Sequence, residues 1–175
     1  KVFDRLGELA TLTAGEASGP YVIQSYNDLM VLTGNKDVTC DPIWNGTTAT
    51  GLGLQTENHY DHVWYYGGTN LRYDDPTDSI DYLTATDNYL VYEDGKITLG
   101  AYDADTAFNK IEQYDEYTYS MSGTGSAIGG KYINQYGGEG FTTVSLYGTR
   151  SHCRWYFYEA IIDTEVSLSV TPRKD

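Results

Sequence analysis

Residues Asn88–Tyr102 read NYLVYEDGKITLGAY, with Asp94-Gly95 standing between two runs rich in Val, Ile, Leu, Thr and Tyr. An Asp-Gly pair in that setting is the strongest short-range signal for a β-hairpin. Taking Asp94 and Gly95 as the loop puts Glu93 opposite Lys96, Tyr92 opposite Ile97, Val91 opposite Thr98 and Leu90 opposite Leu99. Leu90, Tyr92, Ile97 and Leu99 then share one face that can be buried, and Glu93 and Lys96 form an opposite-charge pair beside the turn. An antiparallel sheet is expected to grow outward from this hairpin.

The pattern continues on both sides. Glu57–Tyr66, ENHYDHVWYY, alternates as a strand should, and Gly67-Gly68 ends it. Phe141–Tyr147, Arg154–Ile162 and Glu165–Thr171 read as three further strands, and Tyr114–Ser120 as another. A turn at Asp163-Thr164 would pair Ile161 with Val166 and Phe157 with Val170. Two short helices are expected. In the first, Ser25 caps Leu29–Leu32, Asp28 follows three residues after the cap and Gly34 stops the helix; in the second, Asp105 caps a turn carrying Phe108 and Ile111. Many short strands with turn signals every ten or so residues predict an all-β fold, an antiparallel β-sandwich with a jelly roll as one form of it. Lys1–Gly19 reads as an arm or leading segment and residues 20–175 as a single β domain.

At 175 residues the chain is about one domain long and can bury roughly 70% of its unfolded surface. Eleven basic residues against 25 acidic ones give a net charge of −14, which argues against nucleic acid and anionic membranes as partners. No apolar run reaches the eighteen or so residues of a membrane span, and KVFDRLGELATL carries no signal-peptide core. The 18 Tyr and 19 Gly are the unusual feature. Tyrosine covers area at low entropic cost while its hydroxyl still bonds, so such a composition suits a recognition surface, although half-exposed strands also favour it.

Cys40 and Cys153 are too few for a disulfide framework. A bridge between them would contribute about 4–5 kcal/mol in the chain-entropy treatment and would indicate an oxidising compartment. Two buried thiols are the other reading. Asn45-Gly46-Thr47 fits a glycosylation acceptor.

Several clusters invite a chemical reading. Gly125–Lys131, GSAIGGK, has the spacing of a phosphate loop, but Tyr132 stands where Ser or Thr should hold Mg²⁺ and no βαβ unit surrounds it; seven glycines within residues 123–140 point to a turning loop. His59, Asp61 and His62 are metal-ligand types, yet on a strand His59 and His62 point to opposite faces, leaving Glu57, His59 and Asp61 as a weak one-face set. The acidic loop holding Asp74, Asp75, Asp78 and Asp81 is the candidate Ca²⁺ site, with Asp103, Asp105, Asn109 and Glu112 as a second cluster; neither has EF-hand spacing, and a solvated acidic loop explains both. Glu159 shares a strand face with Trp155 and Phe157, an apolar wall that would suit a proton donor in a carbohydrate-active enzyme, but no second carboxylate is nominated by spacing.

Catalysis needs a convergent polar constellation, which these residues do not form, whereas assembly and recognition need only the composition observed. The expected function is therefore a non-enzymatic assembly subunit of a virion or extracellular filament, binding copies of itself or other assembly proteins through Tyr-rich faces and the leading segment. A glycan-binding module with Ca-assisted loops ranks second, and an enzyme built on Glu159 third. Trp64, Tyr65, Tyr66, Trp155, Tyr156 and Tyr158 are the candidate binding aromatics.

Overall fold

A computed structural model describes residues 5–27, 30–34, 37–42, 62–74, 82–135 and 143–161. Among them the chain forms thirteen strands: β1 (Arg5–Leu9), β2 (Ala17–Ser25), β3 (Met30–Thr33), β4 (Thr39–Pro42), β5 (Val63–Gly67), β6 (Leu71–Asp74), β7 (Tyr89–Glu93), β8 (Lys96–Gly100), β9 (Lys110–Gln113), β10 (Tyr119–Ser122), β11 (Tyr132–Gln135), β12 (Val144–Tyr147) and β13 (Trp155–Ile161). The fold is all-β and antiparallel. One large sheet runs β8-β7-β6-β5-β2-β13-β10-β9, and β11 and β12 form a small second sheet in a sandwich arrangement.

The β7–β8 hairpin has the register read from the sequence, from Glu93 opposite Lys96 to Leu90 opposite Leu99. Asp94 and Gly95 have φ of 53° and 75°, the two left-handed residues that match a two-residue turn to the right-handed twist of its strands. Leu90 and Ile97 are buried, and Tyr92 and Leu99 pack against the same core. Val91, on the other face, is buried as well, because Ala107 bridges to it and Phe108 donates its amide to the Leu90 carbonyl. Lys96 reaches Asp37 at 3.6 Å rather than Glu93, since the segment before β4 lies along the outer edge of β8.

Among the described residues neither expected helix forms. Residues 30–33 form β3, paired with β2 and β4 and buried at all four positions. A helix would bury only one stripe of Met30-Val31-Leu32-Thr33, whereas a strand covered on both faces buries the whole run. Ser25 still bonds locally, but its Oγ accepts the Met30 amide at the start of β3. Near Asp105, the Ala107 amide bonds to the Asp103 carbonyl in a single turn before β7 draws the chain out through Thr106 and Phe108, and Ile111 lies in β9.

The sheet divides at β2. On one side β2 pairs with β13 from Tyr21 to Ser25; on the other, β5 takes Ala17 to Tyr21 and β3 takes Gln24. The β3–β4 branch then returns to β8 through the Asp37–Thr98 bridge and the Val38 amide on the Ile97 carbonyl. Trp64 sits inside this fold with its Nε1 donating to the Leu32 carbonyl at 3.0 Å. Trp155 is likewise fully buried, and its Nε1 donates to the Ile133 carbonyl at 2.9 Å, tying the small sheet onto β13.

Part of the leading segment is docked on its own chain. β1 pairs with β13, the Ala10 amide bonds to the Phe157 carbonyl, and the Leu12 amide to the Tyr119 hydroxyl. The Tyr114–Ser120 strand begins later than expected, at Tyr119, because residues 115–118 turn. The expected strands at residues 57–61 and Glu165–Thr171, with the Asp163-Thr164 turn, lie outside the described residues, as does Asn45.

Cys40 and Cys153 are not joined; both are buried thiols. Burial pushes the Cys153 thiol up to about 12. At mildly alkaline pH neither thiol should react with a disulfide reagent in the native protein, and both should react in denaturant; a count of none in denaturant would restore the bridge. Replacing Gly95 by Ala, where a Cβ meets nothing within 4 Å, isolates the cost of the left-handed backbone. Urea unfolding should show a loss of about 1–2 kcal/mol for Gly95→Ala.

Candidate interaction surface

The residues singled out for chemistry are mostly structural. Trp64 and Trp155 are fully buried, and Tyr66 and Tyr158 are nearly so. They cannot stack on an external ligand, because β5 and β13 are interior strands of the sheet and these four rings lie on covered stretches of them. Tyr66 Oη donates to the Gly68 carbonyl at 2.7 Å, and burial together with Tyr156 pushes the Tyr158 phenol up to about 12. Tyr65 and Tyr156 are half-buried, Tyr65 stacked on Tyr82 with ring centroids 3.8 Å apart and Tyr156 tilted against Tyr158 at 5.8 Å.

Glu159 is exposed and faces Tyr21 in the β13–β2 register; the apolar wall expected from Trp155 and Phe157 is buried beneath the sheet and leaves the carboxylate in solvent. His62 hydrogen-bonds through Nδ1 to the Tyr73 hydroxyl at 2.7 Å and stacks on that ring. Glu57, His59 and Asp61 lie outside the described residues, as do Asp75, Asp78 and Asp81; Asp74 is half-buried at the end of β6. In the second acidic cluster, Asp103 Oδ1 accepts the Asp105 amide, Asp105 Oδ1 the Ser126 amide, and the Asn109 side chain bonds Thr124 and the Ala104 carbonyl. These groups hold two turns together. Among the described residues no three His, Cys, Asp or Glu side chains gather as a metal would require. The GSAIGGK loop is also tied down, with the Gly129 amide on the Gly125 carbonyl, the Lys131 amide on the Ile128 carbonyl, and Ile128 buried. No helix among the described residues is long and apolar enough to cross a membrane.

A different set of aromatics comes together around the β9–β10 turn and the 3₁₀ turn before β13. The Arg154 guanidinium lies 3.8 Å from the Tyr26 ring centroid and 5.0 Å from that of Tyr114; Arg150 stands 5.1 Å from the same Tyr114 ring. His152, between them in the 3₁₀ turn, stacks on Tyr147. Tyr114, Tyr117 and Tyr147 are 38%, 55% and 42% exposed, three of the five most exposed large hydrophobics among the described residues.

The cations are held in place. Arg150 Nε donates to Ser120 Oγ and its Nη2 to the Gln113 carbonyl, both at 2.9 Å, and Arg154 Nε donates to the Ser151 carbonyl at 2.9 Å. Asp115 caps the turn below, accepting the Tyr117 and Thr118 amides and the Thr118 hydroxyl on Oδ1, with Arg154 Nη1 3.4 Å from Oδ2. Slight burial pushes the Asp115 carboxyl upward, but these hydrogen bonds and the Arg154 charge outweigh it and hold the group below its ordinary value. Tyr117 donates to Glu116, which raises its phenol. Fixed guanidinium and phenol groups of this kind dominate binding energy where proteins meet, and each exposed cation–π contact is worth about 0.5–1 kcal/mol. The only hint in the sequence was the clustering of Tyr, Arg and His in YGTRSHCR; nothing local joins it to Tyr26 and Tyr114.

Because the Asp115 carboxyl has a folded-state pKa below its ordinary 3.8, its contribution to stability is complete above that value and is lost as pH falls through the lower one. The stability gap between wild type and Asp115→Asn should therefore shrink between about pH 5 and about pH 2 in denaturant unfolding. A constant gap would mean that the carboxylate is not held by its neighbours.

No family model matches the chain, and no curated protein or solved structure shows significant similarity to it.

Proposed function

We propose that the chain is a non-enzymatic assembly subunit, of a virion or an extracellular filament, that meets copies of itself or other assembly proteins through the Tyr114–Tyr117–Tyr147 face and its two arginines. The observation that carries this reading is exposed Tyr114 packed against the pinned guanidinium groups of Arg150 and Arg154, with exposed Tyr147 stacked on His152 between them and exposed Tyr117 in the turn capped by Asp115, the partner of Arg154. Exposed tyrosine and arginine ordered before contact lose little entropy on association and leave no rotamer-rich chain to immobilise.

Charge supports the same face. A net −14 makes copies repel over most of their surface. Arg150 and Arg154 stand among Glu112, Asp115 and Glu116 and offset most of the acidic charge there, so a second acidic molecule meets less of that penalty at this face. In the leading segment, β1 pairs with β13 and the Ala10 and Leu12 amides bond to Phe157 and Tyr119 of the same chain, so this reading rests on the tyrosine face.

Mass photometry or sedimentation over a concentration series tests the proposal. Wild type should form species larger than a monomer, and Tyr114→Ser/Tyr117→Ser/Tyr147→Ser should weaken association by about 30-fold or more, as loss of hot-spot side chains does. A wild type that stays monomeric at high concentration, or a triple variant that assembles like wild type, would sink the reading.

A further inference from the structure

On another part of the molecule, β2, β5, β6 and the loop before β7 enclose a pocket of about 360 Å³, lined by Ser18, Gly19, Tyr65, Arg72, Tyr82 and Leu83 among others. We propose that this pocket binds a neutral saccharide, one pyranose ring or two, with the Tyr65–Tyr82 pair as its wall. The volume falls at the small end of the range typical of ligand sites.

The wall is built in advance. Arg72 Nη2 donates to the carbonyls of Tyr82 and Ala85 at 2.6 and 2.8 Å, and Asn88 Nδ2 donates to those of Tyr73 and Tyr82 at 3.0 and 3.1 Å. These bonds fix the loop that carries Tyr82 and Leu83. The two phenol rings stack nearly parallel, 7° apart, and Leu83 beside them is 62% exposed. Order in a half-buried aromatic wall with an exposed leucine at its side lowers the entropy lost when a rigid ring settles on it.

The floor is narrow. Gly19 has φ of 129°, and a Cβ there would stand 3.1 Å from both the Trp64 carbonyl oxygen and Tyr65, so only glycine lets β2 run this close beneath the Tyr65 ring. Ser18 lines the same floor, its Oγ buried within the protein. Saccharides suit such a wall: a pyranose C–H face packs on a phenol ring while the equatorial hydroxyls keep their bonds to water at the open side. The net charge of −14 favours uncharged sugars over acidic ones.

Saturation-transfer NMR with a panel of glucose, galactose, mannose, N-acetylglucosamine and their β-linked disaccharides, at millimolar concentration, tests this. At least one sugar should receive saturation on its ring C–H protons, with wild-type amide shifts confined to the segments around Ser18, Tyr65 and Tyr82. Tyr82→Ala should weaken binding by about tenfold or more, and Leu83→Ala by a smaller factor. Tyr117→Ser should leave sugar binding unchanged even if it alters particle size, which separates this site from the assembly face. No transfer from any sugar, shifts elsewhere on the protein, binding of a proline-rich peptide in place of sugars, or an unaffected folded Tyr82→Ala would each overturn the proposal. Should Tyr82→Ala fail to fold, the wild-type shift map decides alone.

Discussion

Two buried indoles govern how the layers meet. An indole N–H in an apolar interior must find an acceptor or lose the hydrogen bond it had in water. Trp64 in β5 finds the Leu32 carbonyl on the β3–β4 branch, and Trp155 in β13 finds the Ile133 carbonyl on the small sheet. Each bond joins elements that are not neighbours in the main strand order, so the branch and the small sheet are held at one position on the core instead of sliding over it. Phe157, Tyr119 and Tyr21 fill the space around β13 with edge-to-face contacts at 5.3 and 6.0 Å, the arrangement that ring quadrupoles favour.

With the layers set this way, six charged groups are used to shape loops. Asp103, Asp105 and Asp115 accept backbone amides in turns, and Arg72, Arg150 and Arg154 donate to carbonyls of neighbouring segments. An acid that binds its own turn has fewer lone pairs left for a cation, and it stands apart from other acids. The same bonds hold aromatic side chains in fixed positions at the surface. Rigid loops carrying phenols are thus a by-product of how this acidic chain satisfies its backbone, and both surfaces proposed for binding arise where such loops end.

Much of the architecture was legible in the residue pattern, but the site was hardly legible at all. Asp94-Gly95 specifies its hairpin because a two-residue left-handed turn and the alternation beside it act over ten residues. Residues 25–34 misled, since a Ser cap and a terminal Gly are equally compatible with a Ser25 hydroxyl that bonds the first amide of a strand buried on both faces. Glu159 misled for a related reason: it has the parity of Trp155 and Phe157, but only those two lie where another layer covers them. The cluster joins Tyr26 and Tyr114 to the stretch that holds Tyr147 and Arg154, three separate segments, and no local spacing could have named all of them together.

What the sequence determined by itself is the all-β antiparallel character, the hairpin register and the strongly acidic surface, because turn chemistry, two-residue periodicity and charge are properties of short stretches or of simple sums. Only the tertiary structure decided which tyrosines and tryptophans face water, that residues 30–33 are a strand, and which acids are tied into turns. Those outcomes depend on which element covers which face, and that is settled by contacts between residues far apart in the chain.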